Sequence, residues 1–490
     1  MTNTTTDSPR DFKRVESLAS ISDKKSYHIF TPRQKWSLIF IISAAGLFSG
    51  LSSNIYFPAE TQIAQVSISP VFWGSLADAI GRRPIYIASF LVYILSNIVL
   101  SFSPNFIVLV LFRALQSAGS ASTVSIGNGV IQDITSPAER GEFISFYQAI
   151  RNFSLAVGPV LGGGLSSSLG FRSIFVFLLV TSTLVLALIV LSLPETLRSI
   201  AGNGSYRLAG IHQPLIRYLR IKEAEYMQDP PAGIDRKKIN LSTFIAPLKL
   251  LTERDILLHL VFGGIIYTIW SMVTATTAGL LKSSFGLNEF KIGLCFLANG
   301  AGTIVGSAII GKLMTRDFKR AEEAYRESQR LPAEYKIPPK DMPIDFNIER
   351  TRLRHLPWIT VLFILTVGIY GYTVETTTSL VSKPGWIAVP LILQFFIAAT
   401  SNAVFAMNQT IVSDLCPGKG ASATAINNLV RCELGAVGVG ISQLLVDMFG
   451  PGPTFLGLAL SVVASLPIVV INWMYGMRWR AARTMRQEKP

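Results

Sequence analysis

The feature that most constrains this chain is the recurrence of apolar runs about twenty residues long. "WSLIFIISAAGLFSGLSSNIYF" (36–57) is one, and "IFVFLLVTSTLVLALIVLSL" (174–193) is the cleanest. Others begin near Pro84, Phe106, Phe143, Ile256, Phe290, Pro357, Trp386, Gly420 and Pro453. Runs of that length match the ~30 Å hydrocarbon core of a bilayer, where the backbone is satisfied only inside helices or closed barrels. The pattern predicts an all-α polytopic membrane protein with about eleven full spans. Half of the 490 residues are hydrophobic and 15% are charged, too little polar surface for a soluble protein of this length.

The formal charge of +14 invites a nucleic-acid reading. The distribution excludes it, because the excess sits between spans. Lys13, Arg14, Lys24, Lys25, Arg33 and Lys35 precede the first run. Arg217, Arg220, Lys222, Arg236, Lys237 and Lys238 fill a central loop, and Arg478, Arg480, Arg483 and Arg486 follow the last run. Such clustering is the mark of cytoplasmic segments. The polar first 35 residues predict a tail without a cleavable signal. Cys295, Cys416 and Cys432 have no ligand spacing, and the four histidines are scattered. No phosphate-binding glycine loop with a lysine occurs. The chain is therefore expected to be no enzyme and to carry no metal or other cofactor.

Composition divides the chain into a cytoplasmic tail (1–35), an N-terminal bundle (36–193), a central loop (194–255), a C-terminal bundle (256–476) and a C-terminal tail (477–490). A polar insert, 315–356, interrupts the second bundle and carries "RAEEAYRESQR" (320–330), which reads as a solvated helix. The bundles look like repeats. "GSLADAIGRR" (74–83) and "GKLMTRDFKR" (311–320) share Gly, Leu and a basic pair in one register, each between a hydrophobic stretch and the next span. Parallel repeats of this kind build one large class of transporters.

Five motifs carry a family resemblance. "GSLADAIGRRP" (74–84) resembles the loop motif of the major facilitator superfamily. "RALQSAGSA" (113–121) is similar to its fourth-helix motif, with Ser117 in place of the usual glycine. "AVGPVLGG" (156–163) resembles the fifth-helix motif of its exporters. "LPETLRSIAGNGS" (193–205) resembles the end of the sixth helix in twelve-span fungal drug:proton antiporters. "GASATAINNLVRC" (420–432) is similar to the eleventh-helix start of the branch with quinidine-resistance-type and citrate exporters. The resemblance implies two six-helix repeats, alternating access, proton drive and a plasma-membrane location. It implies that Asp78 latches against the eleventh helix near Gly420–Ser422. Gly74, Gly81, Arg82 and Arg83 complete that gating loop, and Gly158, Pro159, Gly162 and Gly163 form a helix bend tied to export. In the second copy Thr315 replaces the aspartate and Asp317 lies two residues on.

Ionisable residues inside spans are costly, which makes them functional candidates. Arg113 and Arg151 lie deep in the N-terminal half, and Arg431 and Glu433 lie mid-way along the eleventh span. Two deep arginines without a deep carboxylate favour an anionic guest, and the planar guanidinium suits carboxylates. Asn54, Tyr56, Gln116, Ser120, Tyr267, Trp270, Gln394 and Asn402 fall on helices that the resemblance makes cavity-lining. The expected cargo is a drug, a secondary metabolite or an organic acid, with protons and the bilayer as further partners and a monomer as the working unit. A dedicated citrate-like exporter is the alternative.

One stretch opposes this scheme. Between the first span and the loop motif lies "PAETQIAQVSISPVFW" (58–73), polar and twice interrupted by proline. Its apolar part, Val66–Ala77, is about half of what a span needs. The second helix is expected to be truncated, short of crossing and to leave a gap beside the cavity. A transport-inactive membrane protein is the corresponding alternative of another class.

Overall fold

In the computed structural model the described residues are 28–54, 63–204, 206, 208, 210–216, 246–332, 334–338, 342–375, 383 and 385–487. Tyr56 and the basic central loop from Arg217 to Lys238 lie outside them. Among the described residues the chain is helical throughout its long elements. These are α1 (Pro32–Asn54), α2 (Ile63–Ile80), α3 (Arg82–Ser101), α4 (Phe106–Ile134), α5 (Pro137–Leu169) and α6 (Arg172–Ser192) in the first half. The second half holds α7 (Arg254–Phe285), α8 (Glu289–Ser328), α9 (Leu356–Thr373), α10 (Ala388–Leu415), α11 (Gly420–Phe449) and α12 (Pro451–Gln487).

Local chemistry places several of the ends. Asn105 opens α4 by accepting the Val108 amide at 2.9 Å, and Asn288 opens α8 by accepting that of Lys291 at 3.0 Å. Gly286 closes α7 in the left-handed conformation. Each half packs its own apolar core. Ile39, Phe90, Ile126 and Ile144 belong to the first, and Phe363, Val404, Ile411 and Val462 to the second. The halves meet along two seams, α5 on α8 and α2 on α11.

Among the described residues, ten of the twelve long helices are long and apolar enough to cross a membrane, one fewer than the sequence predicts. The helix that falls out is α5, whose run from Phe143 holds Gln148, Arg151 and Asn152 and then a stretch rich in glycine and serine. The other exception is α2. It is 18 residues long and continuous, three residues longer at each end than the expected Val66–Ala77. No glycine breaks Ile63–Ser69, and Pro70 is absorbed within the helix at the loss of one backbone bond. At 1.5 Å per residue α2 measures about 27 Å, so it falls short of the hydrocarbon core by only about two residues. Burial on α11 is densest in its first half. Gly420 to Asn428, Arg431 and Cys432 are buried, whereas Glu433, Leu434, Val437, Ile441, Leu444 and Met448 are exposed.

Counting α2, the starts of α1 and α5 lie side by side, joined by Lys35 and Glu139 at 2.5 Å. The end of α12 reaches the start of α7 through Arg486 and Glu253 at 3.0 Å. Both chain ends of the bundle therefore share the face that carries the α2–α3 turn, hereafter the motif face. The helical stretch 320–330 has no buried residue, as a solvated helix should, while the segment after it packs on that face. Tyr335, Ile337 and Phe346 are buried, the Phe346 ring lies 5.6 Å from those of Phe318 and Tyr325, and the Ile337 amide donates to Glu322 at 2.8 Å.

Candidate functional site: a sealed face and a paired-arginine centre

The α2–α3 turn is built around Gly81. Its φ of +130° is one that L side chains rarely adopt, and a Cβ there would sit 2.4 Å from the Glu195 carboxylate. That close approach lets Glu195 accept the amides of Arg82 at 2.8 Å and Arg83 at 3.2 Å, the open N-terminus of α3. Glu195 also accepts the amides of Thr196 at 3.0 Å and Leu197 at 2.9 Å and faces His212 Nδ1 at 3.4 Å. Burial pushes its carboxyl up, but His212, the backbone donors and Arg82 outweigh burial and hold it below the usual carboxylate range. Arg83 donates to Leu193 O at 2.8 Å and Val190 O at 2.7 Å, a cation at the C-terminus of α6.

Arg82 is fully buried between Asp78 and Asp133, its Nε 2.8 Å from Asp133. Asp78 in turn accepts the Ser422 amide at 2.9 Å and the Ser422 hydroxyl, at the first turn of α11. Gly74 permits this approach, since a Cβ there would lie 3.0 Å from the Ala421 carbonyl oxygen. Gly74 and Asp78 thus stand at the seam between the halves, while Gly81, Arg82 and Arg83 are held by Glu195, Asp133 and the end of α6 in the first half.

Sequence reasoning missed a second cluster on the same face. Asp414, next to last in α10, pairs with Arg140 from α5 and with Arg352 Nε at 2.8 Å. Arg352 also donates to the Pro137 carbonyl at 2.5 Å and lies over the Phe318 ring at 4.6 Å. Gln132 crosses nearby to the carbonyls of Ser413 at 2.5 Å and Cys416 at 3.0 Å. A signal existed. "DITSPAERG" (133–141) and "DLCPGKG" (414–420) repeat Asp, Pro, a base and Gly in the same order after the fourth and tenth spans. The C-terminal arginines are likewise more than orienting charges. Arg480 pairs with Glu349 at 3.1 Å and Arg483 with Asp255 at 3.1 Å, all four buried.

Deeper in the bundle, the candidate residues separate into groups. Arg113 donates to Gln116 at 2.6 Å and to the Ser52 carbonyl at 3.1 Å, and Gln116 donates to Asn97 at 2.6 Å. This chain links α1, α3 and α4 within the first half. Ser120 bonds the Ser117 carbonyl in its own helix. Gln394 donates to Thr277 at 3.0 Å and Tyr370 at 2.9 Å within the second half. Asn402 accepts a bond from Asn152 across the halves.

Arg151 and Arg431, one from each half, lie within electrostatic range of each other. The Arg431 charge acts on Arg151 and repels it. Both side chains are buried, and the Nε of each lacks a hydrogen-bond partner. Arg431 donates to Asn428 at 2.7 Å and lies over the rings of Tyr267 at 4.5 Å and Phe405 at 5.6 Å. Trp270 packs on both rings with its indole nitrogen buried and unpartnered. Two like charges in a weakly polar interior, each with an unused donor, form a place where an anion is stabilised.

Glu433 is not part of this centre. Two residues beyond Arg431, it lies about 200° round α11 and is exposed. Asn54 ends α1, with its side chain outside the described set. Gly158 and Gly162 are buried in a continuous α5, and Pro159 and Gly163 lie outside the described side chains.

Comparison with known proteins decides the family. Residues 61–326 match the profile of the Major Facilitator Superfamily. The chain belongs to the major facilitator superfamily. It is a multi-pass membrane transporter of that superfamily. It is 42% identical to "Citrate exporter 1" of Aspergillus niger over 487 residues, 96% of this chain and 91% of the relative. It is 29% identical to "Multidrug transporter QDR2" of Candida glabrata over 91% of this chain and 82% of the relative. The value for "Quinidine resistance protein 1" of Saccharomyces cerevisiae is 28%, over 88% and 82%. Among solved structures, the human organic anion transporter MFSD10 superposes with a TM-score of 0.46 at 18% identity, over 94% of this chain and 89% of that one.

Proposed function

We propose that this transporter exports small organic anions, polycarboxylates first, across the plasma membrane by alternating access in exchange for protons. The observation that carries the reading is the pair of Arg151 and Arg431, buried, mutually repelling and each with a free Nε donor. A carboxylate between them relieves the repulsion and takes up both donors, with a planar fork on either side. A cargo with two or more carboxylates gains from both halves at once. The 42% identity to a citrate exporter supports the same class of cargo.

The motif face is the cytoplasmic one in this proposal. Arg33, Lys35, the arginines that end α12 and the arginine-rich insert lie on it, as positive-inside asymmetry requires. Asp78, Arg82 and Ser422 then hold the cytoplasmic side shut, and cargo binding favours their release. A second reading, export of apolar drugs, is favoured by the three rings of Tyr267, Trp270 and Phe405 around the centre.

The test is flux in proteoliposomes with an imposed pH gradient. Labelled citrate and a cationic drug are offered separately to the full chain and to Arg151→Gln and Arg431→Gln. Each substitution is expected to cut citrate flux at least tenfold. Citrate flux unchanged in both variants would refute the anion reading, and loss of drug flux alone would favour the second.

A further inference from the structure

The Arg431 guanidinium rests on a wall of aromatic rings. Tyr267, on α7, lies 4.5 Å below it, and Phe405, on α10, lies 5.6 Å away. The two rings touch each other at 5.5 Å, tilted by 55°. Trp270, one turn from Tyr267, closes the group at 5.6 Å and 5.8 Å from them. The backbone is shaped to admit Tyr267. On α11, one turn past Arg431, a Cβ on Gly435 would come within 2.8 Å of the Tyr267 ring. Both arginine charges act on the Tyr267 phenol. The ring therefore lies within reach of both arginine charges.

We infer that Tyr267 and Phe405 are positioning residues for the anion, holding the Arg431 guanidinium flat on one face so that its donor edge is left for cargo. The inference rests on the proposal that the arginine pair binds the anion. A long arginine side chain has many rotamers, and repulsion from Arg151 drives it away from the centre. Ring faces attract a guanidinium and oppose that retreat. Asn428 fixes one terminal nitrogen at 2.7 Å, which leaves the Nε edge as the unsatisfied side. Gly435 sets the depth at which the Tyr267 ring can lie.

Initial-rate transport of labelled citrate in proteoliposomes tests this, with half-saturation and maximal rate measured separately. Tyr267→Leu and Phe405→Leu are expected to raise the half-saturation concentration about five- to tenfold with the maximal rate within twofold. Tyr267→Phe and Phe405→Tyr keep a ring and are expected to stay within twofold of the parent in both. Gly435→Ala, which displaces the ring without removing it, is expected to behave like Tyr267→Leu. A fall in maximal rate with half-saturation unchanged would overturn the inference, as would equal losses in the ring-keeping variants. Arg431→Gln separates the two levels. Loss of citrate flux there with Tyr267→Leu at parent values refutes the positioning role alone. Parent flux in Arg431→Gln refutes the anion reading on which it stands.

Discussion

The two seams that join the halves are built from the same repeated motif and end up differently. Along α5 and α8, helices of 33 and 40 residues run together. Gly311 of the second motif lies there against Ser145, with 2.8 Å between an added Cβ and the serine Cβ. Along α2 and α11, an 18-residue helix faces one of 30 residues. Beyond Cys432 most of α11 is uncovered. The short seam keeps the motif carboxylate, Asp78, and spends it on Ser422. The long seam has Thr315 in that register; Asp317, two residues on, pairs with His355 at 2.7 Å, and Asp414 is shared by an arginine from each half. A lost motif residue is thus no sign of a lost latch. Asp414 is the repeat counterpart of Asp133: Asp133 takes Arg82, and Asp414 takes Arg140 and Arg352.

That contrast predicts unequal damage. Asp414→Asn leaves Arg140 and Arg352 buried together without their carboxylate, and breaking a buried pair in this way costs about 3–5 kcal/mol. Thermal unfolding in detergent measures the loss. Cys416, buried two residues further on, reports opening of the face, so its labelling by a thiol reagent is expected to rise several-fold. Asp78→Asn is expected to cost less, about 1–3 kcal/mol, because Arg82 retains Asp133 as a partner. If the two variants rank the other way, the short seam is the stronger latch and the contrast is wrong.

Much of this is legible in the sequence. The apolar runs give the helices, and the charge distribution predicts that both ends lie on one side. Gly81, Arg82 and Arg83 could be read because a tight turn and buried bases leave few choices of residue. Two things could not be read. The length of α2 depends on whether Pro70 ends a helix or bends into it, and neighbours decide that. The Trp73 indole and Ser69 hydroxyl both donate to the Ala118 carbonyl, at 3.1 Å and 2.7 Å, and so hold the turns on either side of Pro70 against α4. The partner of a deep arginine depends on packing between distant segments. Arg113 and Arg151 look alike in sequence. One is absorbed into a hydrogen-bonded chain with Gln116, and the other lies within electrostatic range of Arg431 across the halves.

A middle-sized effect sharpens the comparison at the glycines. Gly74→Ala brings a methyl to 3.0 Å from the Ala421 carbonyl oxygen, a backbone atom that cannot step aside. Gly311→Ala meets the Ser145 side chain at 2.8 Å and the Glu142 backbone at 3.2 Å. Overpacking of this order costs about 1–3 kcal/mol. Both are expected to lose stability in thermal unfolding. Transport should suffer more in Gly74→Ala, because α2 has fewer turns over which to redistribute the strain. Equal transport in the two variants would mean that helix length does not matter at the seam.

The smallest predicted effect concerns acid. Glu195 is held below its ordinary value of 4.5, through His212, four backbone amides and Arg82 acting against burial. A carboxylate with a lower value folded than unfolded stabilises fully above the unfolded value and loses that contribution as pH falls through the folded one. The parent chain is therefore expected to lose melting temperature as pH drops from 5 towards 3, beyond the general decline. Glu195→Gln keeps the acceptor oxygen for the amides but cannot ionise, so it should start lower at pH 7 and show a flatter acid limb. The difference bears on the short seam alone, since Glu195 caps the helix that carries Arg82. A parallel acid loss in Glu195→Gln would assign the acid response to the other carboxylates of the motif face. Asp414, in the long seam, would then be the next residue to substitute.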